Sequence, residues 1–161
     1  MPTGRIVGLF VKARVPGEPG LPKHAVPETE LLPTGARGDF NNYRTEELRG
    51  DPDSAVLLLP HEILDELRAE GWPVRPGDLG ENIATRGIPW SVFRPDRTVR
   101  VGSAVLRTTR ECTPCERLRS LPYVGTEKLP QFMRATLSRR GWYARVAVSG
   151  VTKLGDPIEI E

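Results

Sequence analysis

Glycine and proline, sixteen of each in 161 residues, take about one position in five, against about 12% in average usage. Proline ends regular segments, and glycine permits the backbone of tight corners. The chain is therefore limited to short elements with many turns, which favours a mainly β fold. Apolar residues at 38% are plentiful enough for a packed core and argue against disorder. This length suits a single domain over residues 1–161, burying roughly two-thirds of its unfolded surface.

The 23 basic and 21 acidic residues leave a formal charge of +2, a mixed surface without the like-charged blocks that mark bulk nucleic-acid binding. The longest apolar run, Ala55-Val-Leu-Leu-Leu59, falls far short of the ~20 residues that span a bilayer. No basic segment followed by an apolar one opens the sequence. A soluble, cytoplasmic protein is expected, with no nucleic-acid or membrane partner. Two cysteines cannot build a disulfide framework, and in that compartment they would be free thiols.

Ile6-Val-Gly-Leu-Phe-Val11 has strand composition, and the stretch 16–22, rich in proline and glycine, must interrupt it. Residues 23–38 alternate short candidate strands with Pro27, Pro33 and Gly35, and residues 38–43 read as a polar connection. The run 55–59 suits a strand buried on both faces and ended by Pro60. Ile63, Leu64 and Leu67 then share a helical face within 61–70, and Gly71 is placed to close that helix. Residues 98–101 and 104–109 predict two strands joined through Gly102-Ser103, a grammar that Leu154-Gly-Asp-Pro-Ile158 repeats. Both suggest sharply bent strands of a small barrel. Leu129, Phe132, Met133 and Leu137 predict a second helix over 127–139 with Thr126 as N-cap, and 142–148 reads as a strand.

Chemistry concentrates in Arg110-Glu-Cys-Thr-Pro-Cys-Glu-Arg-Leu118. A redox dithiol of the thioredoxin type sits early in its chain before a long helix, whereas Pro122 permits only a short helical turn here. Structural zinc needs four ligands, yet there is no second cysteine pair, and His24 and His61 lie far apart in sequence. Two readings remain: a single working cysteine with a bystander, or two buried thiols acting as small apolar residues. Arg110 and Arg117 favour a thiolate and Glu111 and Glu116 oppose it. The Cys112–Cys115 spacing also allows a reversible disulfide. Upstream, Gly77-Asp-Leu-Gly-Glu-Asn-Ile83 has the wrong glycine spacing for nucleotide binding. Gly77 and Gly80 could still turn backbone amides inward around an anion, beside the hydrogen-bonding side chains of Asn82 and Thr85. Lys23, Arg44, Arg110 and Arg145 could grip a phosphate if the fold gathered them.

Six elements in order, Leu21-Pro-Lys23, Gly38-Asp-Phe-Asn41, Asp51-Pro-Asp-Ser-Ala-Val56, Gly77-Asp-Leu-Gly-Glu-Asn-Ile83, Pro114-Cys-Glu-Arg-Leu118 and Arg140-Gly-Trp-Tyr-Ala-Arg-Val146, resemble a MOSC domain. That family takes its name from the carboxyl-terminal domain of molybdenum cofactor sulfurases. The resemblance implies a mainly β, pyruvate-kinase-like barrel with peripheral helices. It makes Cys115 the counterpart of the family's functional cysteine, which carries sulfur as a persulfide or ligates the molybdenum of the pterin cofactor. Asn82 matches an asparagine of the cofactor-facing loop, and Lys23, Thr85, Arg110 and Arg145 would lie beside the pterin or its phosphate. Relatives that detoxify N-hydroxylated bases carry His-Gly-Gly where this chain has Arg49-Gly-Asp51, which leaves the substrate open.

In function, the resemblance implies a stand-alone protein that binds molybdenum cofactor and reduces a small N-hydroxylated substrate with electrons from an external reductase. A metal-free persulfide carrier supplied by a cysteine desulfurase is the first alternative, and a non-catalytic binding domain is the second. No pyridoxal phosphate lysine domain fits in these residues, so sulfur or electrons would come from a separate partner.

Overall fold

The computed structural model describes residues 1–41 and 43–161. The frequent breaks in the sequence cut the chain into β1 (Thr3–Val11), β2 (His24–Ala25), β3 (Glu28–Leu32), β4 (Gly35–Ala36), β5 (Val56–Pro60), α1 (Glu62–Ala69) and β6 (Ile83–Arg86). After these come β7 (Thr98–Val101), β8 (Ala104–Glu111), α2 (Leu129–Thr136), β9 (Trp142–Val148), β10 (Gly150–Lys153) and β11 (Pro157–Ile160). The expected polar connection over 38–43 includes Asn42, which lies outside the described residues.

Seven strands close into a mixed barrel in the order β11-β7-β8-β9-β5-β6-β1, with β1 pairing back onto β11. Closure leaves those seven without a free edge, so each buries its backbone polar groups in ladders on both sides. Every pairing is antiparallel except β5 with β6, whose crossover is α1. The barrel with peripheral helices is the expected architecture. Outside it, β2 extends the end of β1, and β10, β3 and β4 form a small separate sheet.

β5 shows why a continuous apolar run was needed. All five of its residues are buried, but they serve different cores. Val56 and Leu58 point into the barrel with Leu9, Ile83, Leu106 and Ile158. Leu59 points outward to Leu64, Leu67, Leu118 and Phe132, the layer that holds both helices. Leu57 packs with Cys112 and Tyr143 in a third, smaller cluster. A strand with water on one face would alternate apolar and polar residues, and this one has no such face.

Two expectations are corrected. Gly102 (φ 57°) and Gly155 (φ 88°) do not bend strands. Gly102 lies in the two-residue turn between β7 and β8. Gly155 lies in the turn that passes the chain from the small sheet to the barrel. The second helix runs only over Leu129–Thr136, with Lys128 rather than Thr126 at its start and no side-chain cap. It stops early because Thr136 turns its hydroxyl back to the Phe132 carbonyl (2.8 Å) and Ser138 takes a left-handed backbone (φ 58°), leaving Leu137 63% exposed. That turn directs Arg140 inward.

Cys115 precedes a single 3-10 turn, Glu116–Ser120, anchored by the fully buried Leu118. Truncating this anchor removes packing from the helical layer and frees the turn that carries the thiol. Leu118→Ala is expected to lower unfolding stability by about 3 kcal/mol, within the range for buried leucines, as measured by urea denaturation.

Candidate functional site

The barrel rim, the 19–23 loop, Phe40, Asn41, Tyr43 and the 110–120 segment enclose a cavity of about 280 Å³. That is near the lower end of small-molecule sites, ~300–1,000 Å³. Cys112 and Cys115 both line it, together with Lys23, Arg110, Arg117, Arg119, Arg140 and a single carboxylate, Glu111. Cys115 is half-buried and Cys112 only 3% exposed. Both are free thiols.

Four of the five lining cations have carboxylate partners. Lys23 lies 2.6 Å from buried Asp39, Arg110 3.7 Å from Asp51, Arg117 2.8 Å from Glu47 and Arg119 3.7 Å from Glu116. Arg140 differs. It is 6% exposed, donates through Nε and Nη2 to the Leu79 carbonyl at 3.2 and 3.1 Å, and offers Nη1 to the Cys115 sulfur at 3.4 Å. Among the described residues it makes no ion pair. Burial works against its charge, yet the nearby Cys112 and Cys115 sulfurs outweigh that and hold its pKa above the ordinary value. A buried guanidinium facing a thiol and a cavity attracts negative charge, whether from sulfur or from a ligand.

The other expected site residues divide. Lys23 and Arg110 reach the cavity. Arg110 also donates to Ser54 and stacks 5.0 Å from the centre of the Tyr143 ring. Asn82, Thr85, Arg145 and Arg44 do not line the cavity. Asn82 is 1% exposed, and its side chain is spent on the Leu57 amide (3.0 Å), the Phe10 carbonyl (3.1 Å) and Asp39 (3.0 Å). Thr85 is fully buried in β6. Arg145 projects from the exposed side of β9 towards Asp53 at 3.4 Å. Arg140 and Tyr143 were not singled out as site residues from the sequence. Their signal was the Arg140–Val146 element of the family resemblance, an arginine and a glycine ahead of a strand that opens with two large aromatics.

The Gly77–Gly80 turn does face its backbone amides inward, but the group it holds belongs to the chain itself. The Gly77 amide donates to Glu81 Oε2 at 3.2 Å, while Glu81 Oε1 has no hydrogen-bond partner among the described residues and the residue is 0% exposed. Gly77 (φ 91°) runs so close to the Lys23 carbonyl oxygen that a Cβ would collide with it. Desolvation pushes the Glu81 pKa up to about 7, helped by the neighbouring Asp78 carboxylate and opposed by the turn's amides.

With this architecture in view, a family model described as MOSC domain matches residues 45–159, well over half of the chain. The chain belongs to the MOSC domain family. Among solved structures it is similar to the YuaD protein of Bacillus subtilis, with a TM-score of 0.81 at 21% identity, covering 98% of this chain and 95% of that one. It is also similar to YiiM from Geobacillus stearothermophilus, with a TM-score of 0.73 at 21% identity over 99% of this chain and 75% of that one. YiiM from Escherichia coli gives a TM-score of 0.67 at 23% identity, covering 98% of this chain and 69% of that one. At these identities the likeness concerns the fold. No curated protein matches.

Glu81 yields a pH signature for this MOSC domain. Below about pH 4.5 the carboxyl is protonated folded or unfolded, so its contribution to stability is complete. Between 4.5 and about 7 the folded state keeps a proton that the unfolded chain releases, so stability falls as pH rises and levels off above 7. Glu81→Gln is expected to remove that slope and to stabilise the protein at about pH 8 by on the order of 3 kcal/mol. Urea denaturation of both proteins across this range checks it.

Proposed function

We propose that this MOSC domain binds an anionic molybdenum–pterin cofactor in the Cys115 cavity, with the Cys115 thiolate as protein ligand to the metal. The observation that carries the reading is the half-buried thiol placed against Arg140, a buried guanidinium with no ion-pair partner among the described residues. The donor set fits the group. Among the described residues no three of His, Cys, Asp and Glu cluster to hold a metal by themselves, so most of its donors would come from the cofactor, and a soft thiolate suits the remaining position. Arg110, Arg117 and Arg119 ring the cavity and would exchange weak or solvent-exposed carboxylate contacts for phosphate. Lys23 is less available, because its ammonium is tightly paired with Asp39.

When bound, the group would supply redox chemistry on a small N-hydroxylated substrate, with electrons from a separate reductase. The chain's own residues then bind, orient and neutralise. Arg140 fixes the sulfur and opposes its negative charge, and the Tyr143 phenol walls one side under Arg110. A metal-free sulfur carrier charged by a cysteine desulfurase is the second reading, favoured by the presence of Cys112 in the same cavity.

Protein purified from a host that makes the cofactor is expected to hold close to equimolar molybdenum, and Cys115→Ser to lose it, as read by elemental analysis. Wild-type protein free of molybdenum, or a serine variant that retains it fully, would sink the metal-ligand assignment.

A further inference from the structure

Cys112 remains unexplained by a site that needs only one sulfur. It directly follows β8, where its amide donates to the Gly141 carbonyl at 2.8 Å, and it lines the cavity while packing with Leu57 and Tyr143 outside the barrel core. At 3% exposure it is almost closed to solvent. Its Sγ lies 3.5 Å from the Tyr143 hydroxyl and 3.7 Å from the Thr113 carbonyl oxygen, so the side chain is held in place. Only Thr113 and Pro114 separate it from Cys115. The guanidinium that donates to Cys115 also lies within the electrostatic reach of Cys112.

We propose that Cys112 is the resolving thiol of Cys115: when the Cys115 sulfur carries a second sulfur, Cys112 attacks it, closes a Cys112–Cys115 disulfide and expels the outer group. The inference rests on Cys115 being the working thiol of the proposed function, and on no metal. For a persulfide delivered by a sulfane-sulfur donor, the Cys112 Sγ–Cys115 Sγ bond forms as the Cys115 Sγ–outer sulfur bond breaks. The outer sulfur leaves with the bonding pair and receives the Cys112 proton, so hydrogen sulfide is released and no oxidant is consumed. Arg140 stands where negative charge passes between the sulfurs, a preorganised donor that need not move. Burial and the adjacent Cys112 sulfur raise the Tyr143 pKa, so its hydroxyl keeps its proton and can donate to a Cys112 thiolate. A dithiol reductant then restores both thiols. With two residues between the thiols the attack is intramolecular, which favours it over a thiol in solution.

The probe is dithionitrobenzoate, an aromatic disulfide whose anionic groups suit the basic cavity. Wild-type protein should release one equivalent of thionitrobenzoate as Cys115 reacts and a second as Cys112 displaces the adduct, leaving protein lighter by two hydrogens and no attached reagent. Cys112→Ser, with Cys112→Ala as a second variant should serine perturb folding, should stop after the first equivalent with a stable adduct on Cys115, its discharge at least about tenfold slower. Charging with inorganic polysulfide and desalting should likewise give sulfide from the wild type and a retained persulfide in the variants. A wild-type adduct that persists on Cys115 overturns the resolving role while leaving the thiol's own reactivity intact. In cofactor-free protein a Cys115 that does not react at all overturns this inference, whereas the proposed function falls only with the molybdenum measurement.

Discussion

Asn82 holds together the one parallel pairing of the barrel. Its backbone amide donates to the Leu57 carbonyl and its carbonyl accepts from the Phe10 amide, both at 2.9 Å. Its side chain accepts from the Leu57 amide and donates to the Phe10 carbonyl and to Asp39. A parallel pair has no hairpin to set its register, so something beyond the turn must do so where the strands begin. Asn82 performs that task between β1, β5 and the first residue of β6. Through Asp39 it also fixes Lys23 and the Lys12 amide (2.9 Å), and with them the loops that wall the cavity. A carboxylate at position 82 would offer no donor to Phe10 or Asp39, and an alanine would leave buried backbone groups without partners.

The cavity stands between two kinds of stability. On one side the helical layer packs Leu59, Leu64, Leu79, Leu118 and Phe132 into a dry core. On the other, buried charges balance at short range. Arg140 joins them, since its donors reach the Leu79 carbonyl in the loop ahead of β6 and the Cys115 sulfur in the loop after β8. An uncompensated buried cation is costly to a fold, and among the described residues the side chain set against Arg140 is that of Cys115. The same guanidinium therefore ties the Leu79 loop to the segment that carries the two cysteines.

Much of the architecture was legible because its signals are local. The run 55–59 announced a strand covered on both faces, and its side chains do serve separate cores. Ile63, Leu64 and Leu67 with Gly71 announced α1, and 142–148 coincides with β9. The end of α2 was not legible, because a left-handed Ser138 has no strong sequence signal and Leu137 continues the apolar period after the helix has stopped. The glycines of the Val101–Val105 and Leu154–Ile158 stretches looked alike as corners, yet the tertiary structure uses them as turns between strands. Around the site, Cys115, Arg110 and Lys23 were identifiable as residue types near informative motifs. Asn82 within the glycine motif and Thr85 just after it do not reach the cavity, a distinction of side-chain direction that spacing alone does not carry.

Composition, punctuation and periodicity by themselves determined that this chain forms short strands around an apolar core with two small helices, since backbone conformation at glycine and proline and the burial of apolar faces are properties of neighbouring residues. The six ordered motifs pointed to the family. Only the tertiary structure decided that Glu81 fills the glycine turn, that Asn82 staples strands, and that Arg140 meets Cys115 beside Cys112. Those outcomes join residues twenty-five or more positions apart, as in Asn82 with Leu57 and Arg140 with Cys115, or depend on which way a buried side chain points. Both are settled when the barrel closes and desolvated charges must find partners.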